Sequence, residues 1–301
     1  MNFVSVDDVS AEQMHRIFDI ADRIKEGKME VSIEPNAVMV LLFEKPSTRT
    51  RVSFEAAMAK LGGKSIYLDS TTTQISRGES LSDTAKVISG YANYLVARLN
   101  RHSDILELAA NATIPVINAL TDLEHPCQAL SDLYTVRDAK KALKRMRLAF
   151  VGDIAANTAN SLMLAGAKLG VDIALIGPKE YQPNPVYFTK AKEYGNVEVY
   201  SDPKEGLSDV DVVYTDTFVS MGQEEEAKRR KALFAPYQVN TEMMKNANED
   251  AIVMHCLPAH RGEEISADVI DGPRSVVWEQ AKNKMLIEEA IILYLSENES
   301  E

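Results

Sequence analysis

Five consecutive residues, Ser47-Thr48-Arg49-Thr50-Arg51, stand where an apolar run at 37–43 gives way to a helical pattern. A helix N terminus offers unpaired N–H groups and partial positive charge, so a phosphate fits there. The hydroxyls of Ser47, Thr48 and Thr50 add donors, and Arg49 can fork onto two phosphate oxygens. The same residues also fit a capped helix start followed by solvated arginines. No G-x-x-x-x-G-K-[ST] loop is present, so ATP is not implied.

Other chemistry-bearing groups follow later apolar runs. His125-Pro126-Cys127-Gln128 opens a helix after the run at 115–119. There His125 could donate to a carbonyl oxygen and the Gln128 amide could read an adjacent NH2; a capped helix start with a buried cysteine is the other reading. His255-Cys256-Leu257-Pro258 follows the run at 252–254. A zinc site and a cysteine nucleophile both have to be weighed, although close-paired ligand spacing and an acyl-transfer triad are missing. Asp216 at a strand end can hold an amine, and Ser220-Met221-Gly222 then makes a turn. The segment from Gly152 to Asn157 sits at a strand–helix turn without G-x-G-x-x-G, which argues against a dinucleotide. Arg98 is a charge at the end of an apolar strand, where it must be paired or bind an anion.

The elements that position these residues alternate along the chain. Strands are expected at 37–43, 64–68, 94–99 and 115–119, then at 147–151, 172–176, 197–200, 210–215 and 252–254, with helices between. Ser10 and Gln13 form a capping box, after which Met14, Ile17, Ala21 and Ile24 share a helical face. Continuous apolar strands separated by helices imply parallel sheets covered on both faces. The expected class is α/β, with two similar-sized α/β/α domains, each around a central, mainly parallel sheet and joined by linking helices. The domains are read as 1–138 and 139–283, with a final helix at about 284–301 packing back on the first.

Composition narrows the classes of function. The chain has 301 residues, 45% hydrophobic and 26% charged, and a net charge of −12. Phosphate backbones are held by excess Lys and Arg, so nucleic acid is not expected as a partner. A small basic pocket for one anion remains compatible with an acidic total. Two cysteines, Cys127 and Cys256, cannot build a disulfide framework. No signal-like N terminus and no run long enough to span a bilayer are seen, so a cytoplasmic protein off the membrane is expected.

Taken in order, STRTR, HPCQ, D-x-x-x-SMG and HCLP resemble the aspartate/ornithine carbamoyltransferase family along the whole chain, with SMG and HCLP similar to its ornithine branch. The resemblance implies a carbamoyl-phosphate-binding domain followed by an ornithine-binding one. Carbamoyl would pass from carbamoyl phosphate to the δ-amine of L-ornithine, without metal or organic cofactor. It implies that Ser47, Thr48, Arg49 and Thr50 hold the phosphate, while Arg98, His125 and Gln128, with Thr50, grip the carbamoyl group. Gln74 would reach into a neighbouring subunit's site in a homotrimer or an assembly of trimers. Asn157, Asp216, Ser220 and Met221 match ornithine-binding positions, and Cys256 and Leu257 match positions between the substrates. Arg49, Arg98, His125, Asp216 and Cys256 would carry the catalysis. One departure stands out: the family's A-E-N-R is here Ala281-Lys282-Asn283-Lys284, so Lys284 would meet carbamoyl phosphate in place of an arginine. Another acceptor, aspartate or putrescine, and a weakly catalytic regulatory binder are the alternatives.

Overall fold

Val38–Phe43 is an unbroken apolar hexapeptide, and it forms β1 with five of its six residues buried. It lies between β2 (Lys64–Asp69) and β3 (Tyr94–Arg98), and β4 (Val116–Leu120) completes a parallel sheet of order β2-β1-β3-β4. The computed structural model describes residues 1–28, 32–219 and 226–297. Its two compact units are Met1–Leu130 with the chain from Lys284 onward, and Ser131–Asn283.

In the first unit, α1 (Ala11–Lys25) begins at the Ser10/Gln13 capping box, and its Met14, Ile17 and Ala21 are buried. Helix α2 (Thr48–Lys60) follows β1 and closes through Leu61 into Gly62, whose φ of +83° suits a residue without Cβ. Helices α3 (Leu81–Ser89) and α4 (His102–Asn111) bring Ala85, Ile88, Ile105 and Leu108 against Val40, Leu42, Leu95 and Ala97, alternate residues of the central strands. Burying one such aliphatic side chain stabilises the fold by about 1.5–3 kcal/mol. Helix α5 (Pro126–Lys140) starts after β4 and continues into the second unit.

The second unit holds a five-stranded parallel sheet of order β7-β6-β5-β8-β9. Its strands are β5 (Arg147–Val151), β6 (Asp172–Ile176), β7 (Val197–Tyr200), β8 (Val212–Thr215) and β9 (Ile252–His255). Helices α6 (Asn157–Lys168), α7 (Pro185–Tyr194), α8 (Pro203–Gly206), α9 (Ala227–Phe234) and α10 (Ala267–Ile270) alternate with them, and α11 (Val277–Glu297) ends the described chain. Ala149, Val151, Ala174, Ile176, Val213 and Val253 pack with Phe218, Phe234, Met244 and Ile270 in its core.

This is the expected α/β class with parallel sheets. Every strand lies within two residues of its expected bounds, and two shifts have a visible cause. β8 begins at Val212, because Val210 is still bonded back to Leu207 in the turn that Asp209 makes at φ +57°. Helix α11 begins at Val277 rather than at about 284, directly after Val276 hydrogen bonds to Val253 of β9.

Each sheet has one place where strand order reverses, between β1 and β3 and between β5 and β8. Ligands of open α/β sheets bind outside the carboxyl ends of the strands at such points. Ser47 to Thr50 follow β1, Arg98 closes β3, Asn157 follows β5 and Asp216 follows β8, at these two points.

Candidate active site

In the first unit, Ser47 caps α2: its Oγ accepts the Thr50 N–H at 3.4 Å. Thr48 and Arg49 lie exposed on the first turn, and their amides are among the donors that a helix N terminus leaves without an intrahelical partner. The two arginines of the motif differ. Arg51 pairs with Glu55 at 2.9 Å and its guanidinium lies 3.7 Å from the Tyr67 ring centroid. Arg49 has no ion-pair partner among the described residues, which leaves its fork for an anion.

Arg98 closes β3 at a register shift: Ala97 pairs with Asn118, but Arg98 pairs with Leu120. Such a bulge re-aims a side chain at a strand end. His125 directly precedes Pro126, whose missing N–H costs nothing at the first helical position. Burial, and after it the cations Lys284 and Arg98, hold the His125 imidazole well below its usual range. It is therefore neutral at neutral pH and can donate from one ring nitrogen. Burial and the Glu288 carboxyl push the Cys127 thiol well up, so that cysteine is no nucleophile.

Lys284 joins these residues. Its Nζ donates to Thr50 Oγ1 at 3.2 Å and to Gln128 Oε1 at 3.0 Å. One ammonium thus links the N-terminal turns of α2 and α5, and Thr50, Gln128 and Lys284 are all at most 6% exposed. Accepting from Lys284 fixes which way the Gln128 amide faces. The Thr50 hydroxyl keeps its proton for an outside acceptor. Gln74 begins a short 3-10 turn, Gln74–Arg77, and is exposed.

The second unit presents an acidic counterpart. Gly152, at φ +124°, turns the chain out of β5, and a Cβ there would stand 3.3 Å from the Phe218 ring. Asp153 follows and forms a buried ion pair with Arg230, whose Nε also donates to the Phe218 carbonyl at 2.7 Å. Asn157 opens α6, and its Oδ1 accepts the Thr158 N–H at 2.8 Å. Asp216 stands just past β8, half-buried, and accepts the Thr217 N–H at 2.7 Å. Ser220 and Met221 lie outside the described residues.

Cys256 and Leu257 follow β9. Burial and the neighbouring Asp216 carboxylate, which also hydrogen bonds to it, push the Cys256 thiol well up. It is a neutral hydrogen-bonding group rather than a thiolate. Leu257 has φ +61°, a left-handed conformation costly for a branched residue. Its N–H donates to His255 Nδ1 at 2.8 Å, so the ring proton sits on Nε2, 3.0 Å from Glu264 Oε1. Asp216, His255 and Cys256 bring one ligand-type atom each within 4.8 Å of one another. Both imidazole nitrogens are already committed, so this donor set does not fit zinc.

Behind the loop lies a buried polar chain that the sequence reading missed. Tyr214 Oη donates to Asp132 Oδ2 at 2.9 Å, and Gln280 Nε2 donates to Asp132 Oδ1 at 2.7 Å. Gln280 Oε1 accepts the His255 N–H at 2.9 Å. Asp132, Tyr214, Gln280, Glu264 and Arg230 sit far apart in sequence and inside helices, strands or turns. A polar residue at a core-facing position was the available signal.

The chain matches two family models. Residues 1–138 match the carbamoyl-P binding domain of aspartate/ornithine carbamoyltransferases, and residues 144–295 match their Asp/Orn binding domain. It is 44% identical over 300 residues to the anabolic ornithine carbamoyltransferase of Pyrococcus furiosus, covering 97% of this chain and 95% of that one. It is also 44% identical over 292 residues to the catabolic ornithine carbamoyltransferase of Halobacterium salinarum, covering 97% of each. The solved ornithine carbamoyltransferase of Pyrococcus furiosus superposes with a TM-score of 0.92 at 43% identity, over 97% of this chain and 96% of that one. With both models and these chain-long relatives in agreement, the chain belongs to the aspartate/ornithine carbamoyltransferase family.

Proposed function

We propose that the chain transfers the carbamoyl group of carbamoyl phosphate to the δ-amine of L-ornithine, giving L-citrulline and phosphate. The observation that carries this reading is the meeting of Thr50, Gln128 and Lys284 at one ammonium, in company with Arg98 and a neutral His125. That is a cationic, donor-rich site at two helix N termini, suited to a small phosphorylated carbonyl compound. The relatives named above support ornithine as the acceptor, as do Asp216 and Cys256, which suit a cationic amino acid.

In this reading Ser47, Thr48, Arg49 and Thr50 bind the phosphate. Thr50, Arg98 and His125 aim donors at the carbamoyl oxygen, Gln128 reads its NH2, and Lys284 adds positive charge. The uncharged δ-amine attacks the carbamoyl carbon, forming the C–N bond and a tetrahedral oxyanion. The C–O bond to phosphate then breaks, and the proton shed by the amine leaves with the phosphate as hydrogen phosphate. One well-placed oxyanion donor is typically worth about 3–4 kcal/mol. A neutral His125 can donate without first losing a charge. Asn157 and Asp216, with Ser220 and Met221, hold ornithine, while Cys256 and Leu257 contact both substrates.

The reading extends to the assembly. The exposed Gln74 reaches a neighbouring subunit's site in a homotrimer or an assembly of trimers, and the protein works in the cytoplasm. No helix among the described residues is long and apolar enough to cross a membrane. The test is a citrulline assay on purified protein with carbamoyl phosphate and ornithine, run beside aspartate and putrescine. Citrulline as the dominant product is expected. Faster carbamoylation of aspartate or putrescine would overturn the acceptor assignment.

A further inference from the structure

The most apolar part of α11 carries two adjacent carboxyls, Glu288 and Glu289, both at most 1% exposed. Glu289 meets the Lys60 ammonium of α2 at 3.1 Å. Glu288 has no such partner: neither of its carboxyl oxygens makes a hydrogen bond of normal geometry among the described residues. Its place on the helix is informative. It lies four residues after Lys284, on the same face, where a carboxyl and an ammonium feel each other directly.

We propose that Glu288 is a positioning residue for Lys284, its carboxyl deciding how much of the ammonium's charge is available to an anion at Thr50 and Gln128. The proposal rests on the carbamoyl-phosphate reading of that site. The groups around Glu288 are Lys284 and Glu289 on its own helix, the Ser53 hydroxyl of α2 and the Cys127 thiol of α5. Burial pushes the Glu288 carboxyl up to about 8, with Lys284 opposing and Glu289 adding to the rise. Below that range the carboxyl is neutral, and Lys284 presents its full charge to the ligand. Above it a carboxylate forms one turn away and competes with the ligand for the same ammonium. An anion on Lys284 in turn favours the protonated carboxyl, so binding draws in a proton.

Calorimetric titration with carbamoyl phosphate, from about pH 6.5 to 9, tests this. The parent is expected to lose on the order of tenfold in affinity across the ionisation of Glu288, the slope of one linked proton. Glu288→Gln should abolish that step, and Glu288→Asp should keep a step at a shifted pH. Superimposable curves for the parent and Glu288→Gln would overturn the proposal. A second measurement needs no variant. Titrations of the parent near pH 8, in two buffers of different ionisation enthalpy, should show proton uptake on binding, and none would equally overturn it. Lys284→Ala separates the two layers. Unchanged affinity in that variant would sink the site reading itself. A loss of tenfold or more, beside an unaltered Glu288→Gln curve, would sink only the role of Glu288.

Discussion

The two units use the same architecture and opposite charge. In the first, three cations (Arg49, Arg98 and Lys284) gather with helix N termini, and hydrogen bonds from one ammonium orient the neighbouring side chains. In the second, Asp216 and a neutral thiol stand on loops that a buried framework holds from behind. That framework comprises Asp132, Tyr214, Gln280, the His255–Glu264 pair and the Asp153–Arg230 ion pair. A phosphate can be met by backbone amides that a helix supplies by its geometry. An amine needs acceptors, which a parallel sheet offers only through loops, and loops must be held by something else. The acceptor site should therefore be the more fragile of the two.

The largest expected effect tests that fragility. Arg230→Ala leaves the Asp153 carboxylate buried without its cation, a change that costs about 3–5 kcal/mol. Chemical denaturation should report that loss, and ornithine binding should fall with it. Carbamoyl-phosphate binding hurt more than ornithine binding would reverse the comparison. Next comes Lys284→Ala, which removes two charge-assisted hydrogen bonds of about 1.5–3 kcal/mol each. Activity should fall severely, whereas Lys284→Arg keeps the charge, adds a planar fork and should be tolerated. Parent-like kinetics for Lys284→Ala would remove the residue from the site. Arg49→Ala loses a forked contact worth about 1.5–3 kcal/mol, read as weakened carbamoyl-phosphate affinity in calorimetry. Asp216→Asn should raise the KM for ornithine by roughly tenfold and spare carbamoyl phosphate, since a single charged contact carries about 1.5 kcal/mol. Equal weakening of both ligands would indicate a general folding role.

The smallest effect is in pH. The folded His125 value is depressed below its ordinary 6.5. The unfolded chain therefore binds the extra proton first as pH falls, and stability is lost below that range by up to about 1.4 kcal/mol per pH unit. Thermal unfolding between about pH 7 and 5 should show this slope, and His125→Asn should flatten it. An imidazole titrating at its ordinary value in the intact protein, seen by NMR, would contradict a neutral His125.

Much of this was legible in sequence for a physical reason. Parallel strands buried on both faces read as unbroken apolar runs, so 147–151, 172–176 and 197–200 were read to the residue. Arg98 was legible because a charge that ends an apolar strand is chemically unusual there, and Lys284, on the last helix, because it departs from the arginine that the family resemblance implies. The supporting residues were not. Asp132 and Gln280 lie 148 positions apart and meet only through tertiary packing. Glu264 reads as an ordinary loop carboxylate until His255 is seen against it. Glu288 and Glu289 did leave a trace, two acids inside the most apolar stretch of the last helix, and that pattern merits attention in its own right.

The order of the units along the chain carries one more consequence, for synthesis. The second unit is one continuous segment, Ser131–Asn283, whereas the first resumes only at Lys284. A growing polypeptide therefore has the whole acceptor-side unit in hand before the first unit can be finished. Domains fold as units during translation, and at ~5–20 residues per second the tail arrives seconds after the N-terminal sheet. Throughout that interval the first sheet has its strands but lacks Lys284 and the apolar turns beside it. Until residue 284 is made, Thr50 and Gln128 lack the ammonium that joins them in the finished unit.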